Sequence, residues 1–403
     1  MSKPWEDWIP GVLSKNQVQL LCSEGYLKEV DNWDHRGKKN PIGHSAVDLT
    51  LTNEGYEMIS GSVKPFGDRY LHQICEDGLA KKLPKPNNGI YKLERCKTYL
   101  FKLKEKIELG EHTLKAKIYG RATAKSTIGR VDVLARLIVD GMNVYEGFDP
   151  EGLKKGSGEM YLEITPMAFE VRVKKGTQIS QLRLFRGKPE NAEIKGEEVH
   201  EPLLHSKDSD INGSLSVQLQ PVKIRGQKVS AFCAKPNDEY QKPIDLWKRK
   251  KYDPCKYWKF LNCDKNGRLK IDKNKFYLLR SKEMISLPDN VAIYCRAIDE
   301  AIGEMRIHYA GFVHPFFGTG RDTDDSPGTC LIFEVRGHDV DVSLKDGEKM
   351  ARLIFYRLSR SCKRGKSSYN EQTLQLSKIF DDWPDEIEVG TDGNVKKAGV
   401  GAT

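Results

Sequence analysis

The chain has 403 residues, more than a single domain usually holds, so its length predicts two domains that can each bury a core. Apolar residues at 38% and charged residues at 31% are typical of a globular protein and exclude a disordered or fibrous chain. The formal net charge of +9 suits an anionic partner, but the cations are interspersed with acids. A solvated surface of mixed charge explains this pattern. A small phosphorylated ligand would need only a few of these cations, whereas nucleic acid normally needs a concentrated basic stripe, which the sequence lacks.

The amino terminus lacks the apolar segment of a secretory signal, and no apolar run approaches the ~18 residues that span a bilayer. Nine cysteines, odd in number and irregularly spaced, fit reduced thiols in a reducing compartment. We therefore expect a cytoplasmic protein with no membrane association.

The first predicted element is a short helix near the amino terminus. Ser14 and Gln17 form a capping box, and apolar residues then recur at helical spacing until Gly25. Few other helices are evident in the sequence.

Most of the remaining pattern is typical of strands. Apolar and polar residues alternate over residues 169–174 and 340–344, which predicts half-buried strands. Turn signals follow at short intervals, as at Lys175–Gly176, Asn266–Gly267 and Asp346–Gly347. This pattern predicts a mainly β fold of the sandwich or barrel kind.

Two stretches of the sequence resemble each other. The paired positions include Glu163 with Glu334, Val171 with Val342 and Gly176 with Gly347. General likeness between strands explains the apolar matches but not an acid retained within an apolar run in both stretches. We therefore predict two divergent copies of one β domain, repeat 1 over residues 1–200 and repeat 2 over residues 214–360. The polar stretch 197–213 would link them, and residues 361–403 would form a mobile polar tail in which Trp383 could be an ordered anchor.

The segment Gly120–Arg130 concentrates small residues, hydroxyls and cations after a predicted strand. Backbone amides in such a loop can approach phosphate oxygens, and Arg130 can bind them through two hydrogen bonds. Ala124 stands where a P-loop needs its second glycine, so a P-loop is excluded. The counterpart in repeat 2, Asp299–Glu304, carries acids, which favours a phosphate site used once per chain. A solvated basic turn is the alternative.

Glu163 lies within an apolar run of five residues, 160–164. Burial raises the pKa of a carboxyl group unless it is paired, and such a group can carry protons near neutral pH. The same argument applies to Glu334. A glutamate that faces solvent on an edge strand is the alternative.

Several segments occur in an order that is familiar from one enzyme family. They are Gly11–Lys15, Ser45–Leu49, Lys125–Arg130 and Gly158–Glu163 in the first half, and Ala234–Pro236, Tyr252–Pro254, His308–Phe312 and Phe316–Gly318 in the second. Over residues 10–360 the chain resembles the dCTP deaminases of the dUTPase superfamily, in their long bacterial form with tandem domains.

This resemblance implies two distorted β-barrels, homotrimer-type barrel packing and sites at the junctions between barrels. It implies hydrolysis of dCTP to dUTP and ammonia without zinc, with Mg²⁺ carried by the triphosphate. Glu163 would shuttle protons, Ser126 would orient water and phosphates, Arg130 would stabilise anionic oxygens, and Asp48 would be structural. The other residues expected to bind substrate are Lys125, Thr127, Arg121, Asp149, Gln181 and Glu334.

Three alternatives stay open at this point. A site could be shared between Ser126 and Arg130 of one repeat and Glu334 of the other. The enzyme could be a dUTPase, or bifunctional, with Asp149 activating water against the α-phosphate. The chain could also bind deoxynucleotides as a sensor without catalysis.

The sequence contains no Cys-x-x-Cys and no His-x-Glu, so the zinc motif of cytidine deaminases is absent. The short forms of the family place an arginine shortly before the glutamate, whereas Phe148–Pro150 here has none just ahead of it.

Overall fold

A computed structural model describes residues 5–30, 41–110, 114–195, 213–235, 241–297, 305–308, 311–319, 328–362 and 372–399. The predicted acidic stretch Asp299–Glu304 and nearly all of the predicted linker lie outside these residues. Short helices are sparse, as expected: α1 (Lys15–Ser23), α2 (Tyr70–Glu76), α3 (Ser126–Gly129), α4 (Pro150–Leu153) and α5 (Pro254–Tyr257), with a 3-10 turn at Pro189–Ala192. Within the part of the chain described, no helix has the length and apolarity that a membrane crossing requires.

Strands make up most of both halves. Those of the first half are β1 (Gly11–Val12), β2 (Leu27–Lys28), β3 (Val47–Met58), β4 (Ala80–Lys82), β5 (Ile90–Leu93), β6 (Tyr99–Leu103), β7 (Lys106–Ile107), β8 (Ile118–Ala124), β9 (Val133–Val139), β10 (Gly147–Phe148), β11 (Met160–Pro166), β12 (Val171–Lys174), β13 (Gln178–Arg186) and β14 (Glu193–Ile194). Those of the second half are β15 (Ser214–Gln218), β16 (Val222–Ile224), β17 (Gln227–Val229), β18 (Ala231–Ala234), β19 (Ile244–Asp245), β20 (Trp258–Leu261), β21 (Arg268–Ile271), β22 (Phe276–Ile285), β23 (Val291–Ala297), β24 (Met305–His308), β25 (Phe312–Val313), β26 (Thr329–Gly337), β27 (Val342–Lys345), β28 (Lys349–Arg357), β29 (Ile387–Val389) and β30 (Val395–Lys397).

The two halves share one strand order. In repeat 1 the main sheet runs β10-β8-β13-β3-β6-β11-β9. In repeat 2 the equivalent pairings run β25-β23-β28-β15-β22-β26-β24. A smaller pairing, β5 with β12, likewise recurs as β21 with β27. The mainly β fold and the duplication predicted from the sequence are therefore confirmed.

The strand register agrees with the alignment of the two repeats. Glu163 lies opposite Leu100 on β6, and Glu334 lies opposite Leu278 on β22. The two acids therefore occupy the same place in two copies of one sheet.

A second pair of acids has an architectural role in both repeats. Glu105 accepts a hydrogen bond from the Thr50 backbone N–H at 2.9 Å, and Glu283 accepts one from the Ser216 N–H at 2.8 Å. Each acceptor satisfies a backbone group of the neighbouring strand that would otherwise be buried without a partner. Burial raises the pKa of Glu105 to about 7.

Local sequence signals were mostly accurate. The capping box at α1 is present, with the Ser14 N–H donating to Gln17 Oε1 at 3.0 Å. The predicted turns contain glycines at positive φ, as at Gly176 and Gly347. The strand predicted from residue 340 was wrong at its start, because Val340 is exposed and the strand begins only at Val342.

Each half also contributes a strand to the other. β14 of repeat 1 pairs with β28 of repeat 2, and β19 of repeat 2 pairs in parallel with β12 of repeat 1. A buried ion pair between Arg336 and Asp132 joins the halves as well. The two repeats are thus interlocked rather than linked by a flexible connection.

The C-terminal segment, residues 372–399, packs onto both halves. Leu374, Leu376 and Phe380 are buried in the core, where the Phe380 ring lies 5.7 Å from the Trp258 ring. The prediction of a mobile tail is wrong for these residues, because their widely spaced apolar side chains are enough to anchor the segment.

Replacing Arg336 with alanine should destabilise the protein by about 3–5 kcal/mol, because it removes the cation that faces a fully buried carboxylate. The free energy of unfolding should be measured by denaturant titration at pH 8, where Asp132, whose pKa burial raises to about 6, is ionised.

Lys154→Ala is the matched control, since the Lys154–Glu151 pair is exposed and should contribute at most about 0.5 kcal/mol. Equal effects of the two substitutions would contradict the role assigned to the buried pair.

Candidate active site

A cavity of about 310 Å³ lies at the junction of the two repeats. This volume is at the lower end of the range for small-molecule sites. Repeat 1 contributes Ala124–Thr127, Arg130 and Gln181; repeat 2 contributes Arg249, Cys295, Ile307, Gly311–His314, Phe317 and Leu331–Glu334; the C-terminal segment contributes Gln372 and Lys378. One side of the cavity is cationic and the other is largely apolar.

The cationic side is formed where β8 ends and the single turn of α3 begins. Lys125 precedes α3 in extended conformation, and its N–H donates to the Ile179 carbonyl at 3.0 Å. Its ammonium group pairs with Asp48. These contacts hold Ser126 and Thr127 at the cavity wall. That this loop binds phosphate stays a prediction.

Arg130 lies at the far end of this turn with 6% of its surface exposed. Its Nη2 donates to Gln372 Oε1 at 2.8 Å, and its Nη1 reaches the Leu376 carbonyl at 3.4 Å. Its Nε–H is buried and has no acceptor among the described residues. A buried cation with an unused donor in a cavity is suited to an anionic ligand.

Glu334 brings a carboxylate from repeat 2 to the same place. It is 7% exposed, and burial raises its pKa well above the ordinary value, an effect that Arg130 opposes and Asp132 reinforces. None of the described residues donates a hydrogen bond to its carboxylate. A Cβ atom at Gly129 would come within 2.0 Å of Glu334 Oε2, so the carboxylate lies directly against α3. The arrangement in which Ser126 and Arg130 share a site with Glu334 is the one that the chain forms.

The apolar wall of the cavity rests on a buried arginine from repeat 1. The guanidinium of Arg183 lies 4.1 Å from the centre of the Phe312 ring, and its Nη1 reaches the Val313 carbonyl at 3.5 Å. Burial lowers the pKa of Arg183 to about 9. Repeat 1 therefore supports the part of repeat 2 that a planar base could contact.

His314 stands at the end of this wall. Its Nδ1 lies 2.8 Å from the Pro315 carbonyl oxygen, which can only accept, so Nδ1 carries the proton. Burial lowers the pKa of His314 to about 4, and nearby His44 and Arg183 act in the same direction. The ring is therefore neutral at pH 7, with Nε2 as an acceptor.

Glu163 lies outside this cavity. Its carboxylate accepts hydrogen bonds from Arg136 Nε at 3.0 Å, Ser62 Oγ at 2.8 Å and the Tyr145 hydroxyl at 3.2 Å. It is buried, as predicted, with 2% of its surface exposed. Within one chain, however, the structure does not bring it together with Ser126 and Arg130.

Two other predicted substrate-binding residues also lie away from the cavity. Asp149 caps α4, where its side chain accepts a hydrogen bond from the Gly152 N–H at 2.7 Å. The side chain of Arg121 is 44% exposed and pairs with Glu190 at 3.7 Å. The remaining predicted residues, Lys125, Thr127, Gln181 and Glu334, line the cavity.

Sequence reasoning missed four polar residues. Arg249, Gln372 and Lys378 line the cavity but belong to no motif, and the last two lie in the presumed tail. Arg136 pairs with Glu163 from the neighbouring strand β9, 27 residues earlier in the chain, rather than from just ahead of it. A search of the strand opposite Glu163 for a cation could have found it.

Comparisons with known proteins agree with this architecture. Residues 9–188 match the family model of the 2′-deoxycytidine 5′-triphosphate deaminase N-terminal domain, and residues 190–380 match that of the C-terminal domain. Among solved structures, a 2′-deoxycytidine 5′-triphosphate deaminase from Agrobacterium tumefaciens superposes with a TM-score of 0.75 at 24% sequence identity, over 88% of this chain and 97% of that one. No curated protein sequence gives a significant match.

A pocket with a cationic side at the junction of two mainly β repeats is typical of an enzyme that acts on a small anionic molecule. With both family models together spanning residues 9–380, the chain belongs to the dCTP deaminase family, hydrolases that act on a C–N bond and convert dCTP to dUTP. The family expected from the sequence is confirmed. Among the described residues, no group of three or more His, Cys, Asp and Glu side chains could hold a metal ion.

Gly129→Ala should lower kcat by about a hundredfold, because the new methyl group would displace the Glu334 carboxylate from α3. The helical backbone tolerates alanine, so the melting temperature should change little. Ammonia release from dCTP measures the first effect and thermal unfolding the second.

Gly43→Ala is a suitable control, since the nearest atom to its added Cβ would be 3.7 Å away. Wild-type turnover in Gly129→Ala would show that the carboxylate is not needed at this position.

Proposed function

We propose that the cavity between the repeats is the site of dCTP deamination and that Glu334, rather than Glu163, carries the protons. The observation that carries this proposal is the position of the Glu334 carboxylate. It is buried, it accepts no hydrogen bond from the described residues, and it lies against the turn that presents Ser126 and Arg130. Burial raises the pKa of this carboxyl group, which favours its use as a group that takes up and releases a proton during a reaction.

The reaction follows from this placement. The Glu334 carboxylate takes a proton from a water molecule as the water oxygen bonds to C4 of cytosine. The same carboxyl group passes that proton to N3 of the ring, then takes the remaining proton from the new C4 hydroxyl and transfers it to the amino nitrogen. The C4–N4 bond breaks, ammonia leaves, and the C4 carbonyl of uracil remains. The mostly apolar lining around Phe312 and Phe333 keeps the medium poor in water and strengthens each electrostatic contact.

The substrate triphosphate is assigned to the cationic side. Lys125, Arg130, Arg249 and Lys378 line the cavity, and Ser126 adds a hydroxyl. These cations would offset the charge of a triphosphate, with Mg²⁺ entering as part of the substrate. We propose that the reaction needs no zinc, since the sequence lacks the ligand motifs of zinc deaminases.

Glu163 is assigned a structural role. Both of its oxygens are occupied by donors, and the Arg136 guanidinium lies 4.1 Å from the Tyr145 ring centre, which fixes the ion pair. With both oxygens already accepting hydrogen bonds from side chains, the carboxylate is held in one place by its neighbours. Each chain would then contain one catalytic glutamate and one structural glutamate at equivalent positions.

The surface around Glu163 supports the proposal of a homo-oligomer, with homotrimer-type packing of barrels. In repeat 2 the equivalent surface is covered by α3 of repeat 1. Ile59, Phe66 and Val144 lie in turns and loops close in sequence to Ser62 and Tyr145, which contact Glu163, and they are 58%, 43% and 43% exposed. A second copy of the chain would cover them.

The nine cysteines are free, which supports a reducing, cytoplasmic location.

The activity is tested by incubating the protein with dCTP and Mg²⁺ and separating the products. Ammonia and dUTP in equal amounts would support the assignment. Appearance of dUMP and pyrophosphate would mark a bifunctional enzyme, although Asp149, the residue considered for that step, caps α4 outside the cavity. Binding without any product would identify a sensor.

Glu334→Gln should abolish deamination, with kcat falling by about a thousandfold or more, because an amide cannot carry the proton. The Kd for dCTP, measured by calorimetry, should stay within about threefold of the wild-type value, since the side-chain volume is unchanged.

Glu163→Gln is the matched control at the equivalent position of repeat 1, and we expect it to retain turnover. If Glu163→Gln were inactive and Glu334→Gln active, the assignment of the two glutamates would be reversed.

Arg130→Ala should weaken dCTP binding by about 1.5–3 kcal/mol, roughly ten- to a hundredfold in Kd, because a charge-assisted contact to phosphate is lost. Binding of deoxycytidine, which has no phosphate, should change much less.

Arg121→Ala provides the comparison, since Arg121 is exposed and pairs with Glu190 away from the cavity. If Arg130→Ala weakened the binding of dCTP and deoxycytidine equally, Arg130 would contact the base rather than the phosphates.

A further inference from the structure

We infer that Gln372, in the C-terminal segment, is a positioning residue that holds the Arg130 guanidinium in place for the substrate triphosphate. The inference rests on the proposed function, because it assumes that Arg130 binds phosphate. It assigns a role in the active site to the part of the chain beyond residue 371.

Every polar atom of Gln372 is engaged. Its Oε1 accepts from Arg130 Nη2 at 2.8 Å, and its Nε2 donates to the Cys330 carbonyl at 2.9 Å. Its backbone N–H donates to Thr329 Oγ1 at 2.6 Å, and its carbonyl oxygen accepts from the same hydroxyl at 3.2 Å. Because a carbonyl can only accept, the Cys330 contact fixes the amide orientation and directs Oε1 toward Arg130. With 6% of its surface exposed, the residue cannot turn away into solvent.

The chemistry of the amide suits this role. A carboxylate at this position would form an ion pair with Arg130 and cancel much of the charge that an anionic ligand needs. A glutamine instead orients the guanidinium through one neutral acceptor and leaves its positive charge available. The Nε–H of Arg130, which has no acceptor among the described residues, is then free for the ligand.

The same segment also holds the start of the phosphate-binding turn. Ser377 Oγ donates to the Thr127 carbonyl at 2.6 Å, and Arg130 Nη1 reaches the Leu376 carbonyl at 3.4 Å. The segment therefore contacts both ends of the α3 turn. Its apolar residues anchor it in the core, so the hydrogen bonds to α3 are made from a fixed support.

The test uses the full chain with Gln372→Glu, which keeps the side-chain size, and Gln372→Ala, which removes the acceptor. Gln372→Glu should raise both the KM and the Kd for dCTP about tenfold or more, with kcat and the Kd for deoxycytidine within about twofold of wild type. Gln372→Ala should act in the same direction. In the Arg130→Ala background, neither substitution should cause any further loss, because the two residues act as one unit.

Gln227→Ala is the matched control. Gln227 also binds the C-terminal segment through its amide, donating to the Ile387 carbonyl at 3.3 Å, but it lies outside the cavity, so dCTP kinetics should be unchanged. The inference would be overturned if Gln372→Glu weakened the binding of dCTP and deoxycytidine equally. It would also be overturned if the loss of dCTP affinity in Gln372→Glu added to the loss in Arg130→Ala. If Arg130→Ala alone leaves dCTP affinity unchanged, the phosphate assignment itself fails. If either Gln372 variant does not fold, a carboxamide at this position is structural and the positioning role is rejected.

Discussion

The buried carboxylate of Glu334 accepts no hydrogen bond from the residues that the structure describes, and its burial therefore has a free-energy cost. The contacts at the junction between the repeats determine how that cost is met. The sheet of repeat 2 holds the carboxylate against α3, where only a glycine, Gly129, leaves space for it. Arg130 faces it from the same turn and limits the rise in its pKa. Arg130 is in turn held by Gln372. Repeat 1, repeat 2 and the C-terminal segment are therefore all required to form one pocket.

Duplication supplied two equivalent glutamates, and their neighbours determine what each can do. Arg136 lies opposite Glu163 on β9, whereas His308 lies opposite Glu334 on β24. Arg136 forms an ion pair with Oε1 of Glu163, and Ser62 and Tyr145 donate hydrogen bonds to its Oε2. Glu334 instead lies against α3 of repeat 1, where Arg130 is the cation that acts on its carboxyl group. The two equivalent glutamates therefore have different surroundings among the described residues.

Those parts of the fold that depend on local pattern could be predicted from the sequence. They include the capping box at Ser14, the repeated strands and the loop that contains Ser126 and Arg130. The sequence could not show which glutamate meets that loop, because the answer depends on how the two repeats pack. The contact of Gln372 with Arg130 spans 242 residues and follows no motif, so only the structure could identify it. The C-terminal segment was misjudged because a few buried side chains outweigh its polar composition.

The parallel pairing of β19 with β12 has a consequence for synthesis of the chain. Residues 244 and 245 are synthesised after all of repeat 1, so the small sheet of repeat 1 lacks this strand until then. Its sheet edge stays open until the second half emerges, and completion of the first barrel must wait for translation of the second. Separating the gene between the halves would leave that edge exposed in one product, which provides a physical reason for keeping both copies in a single reading frame.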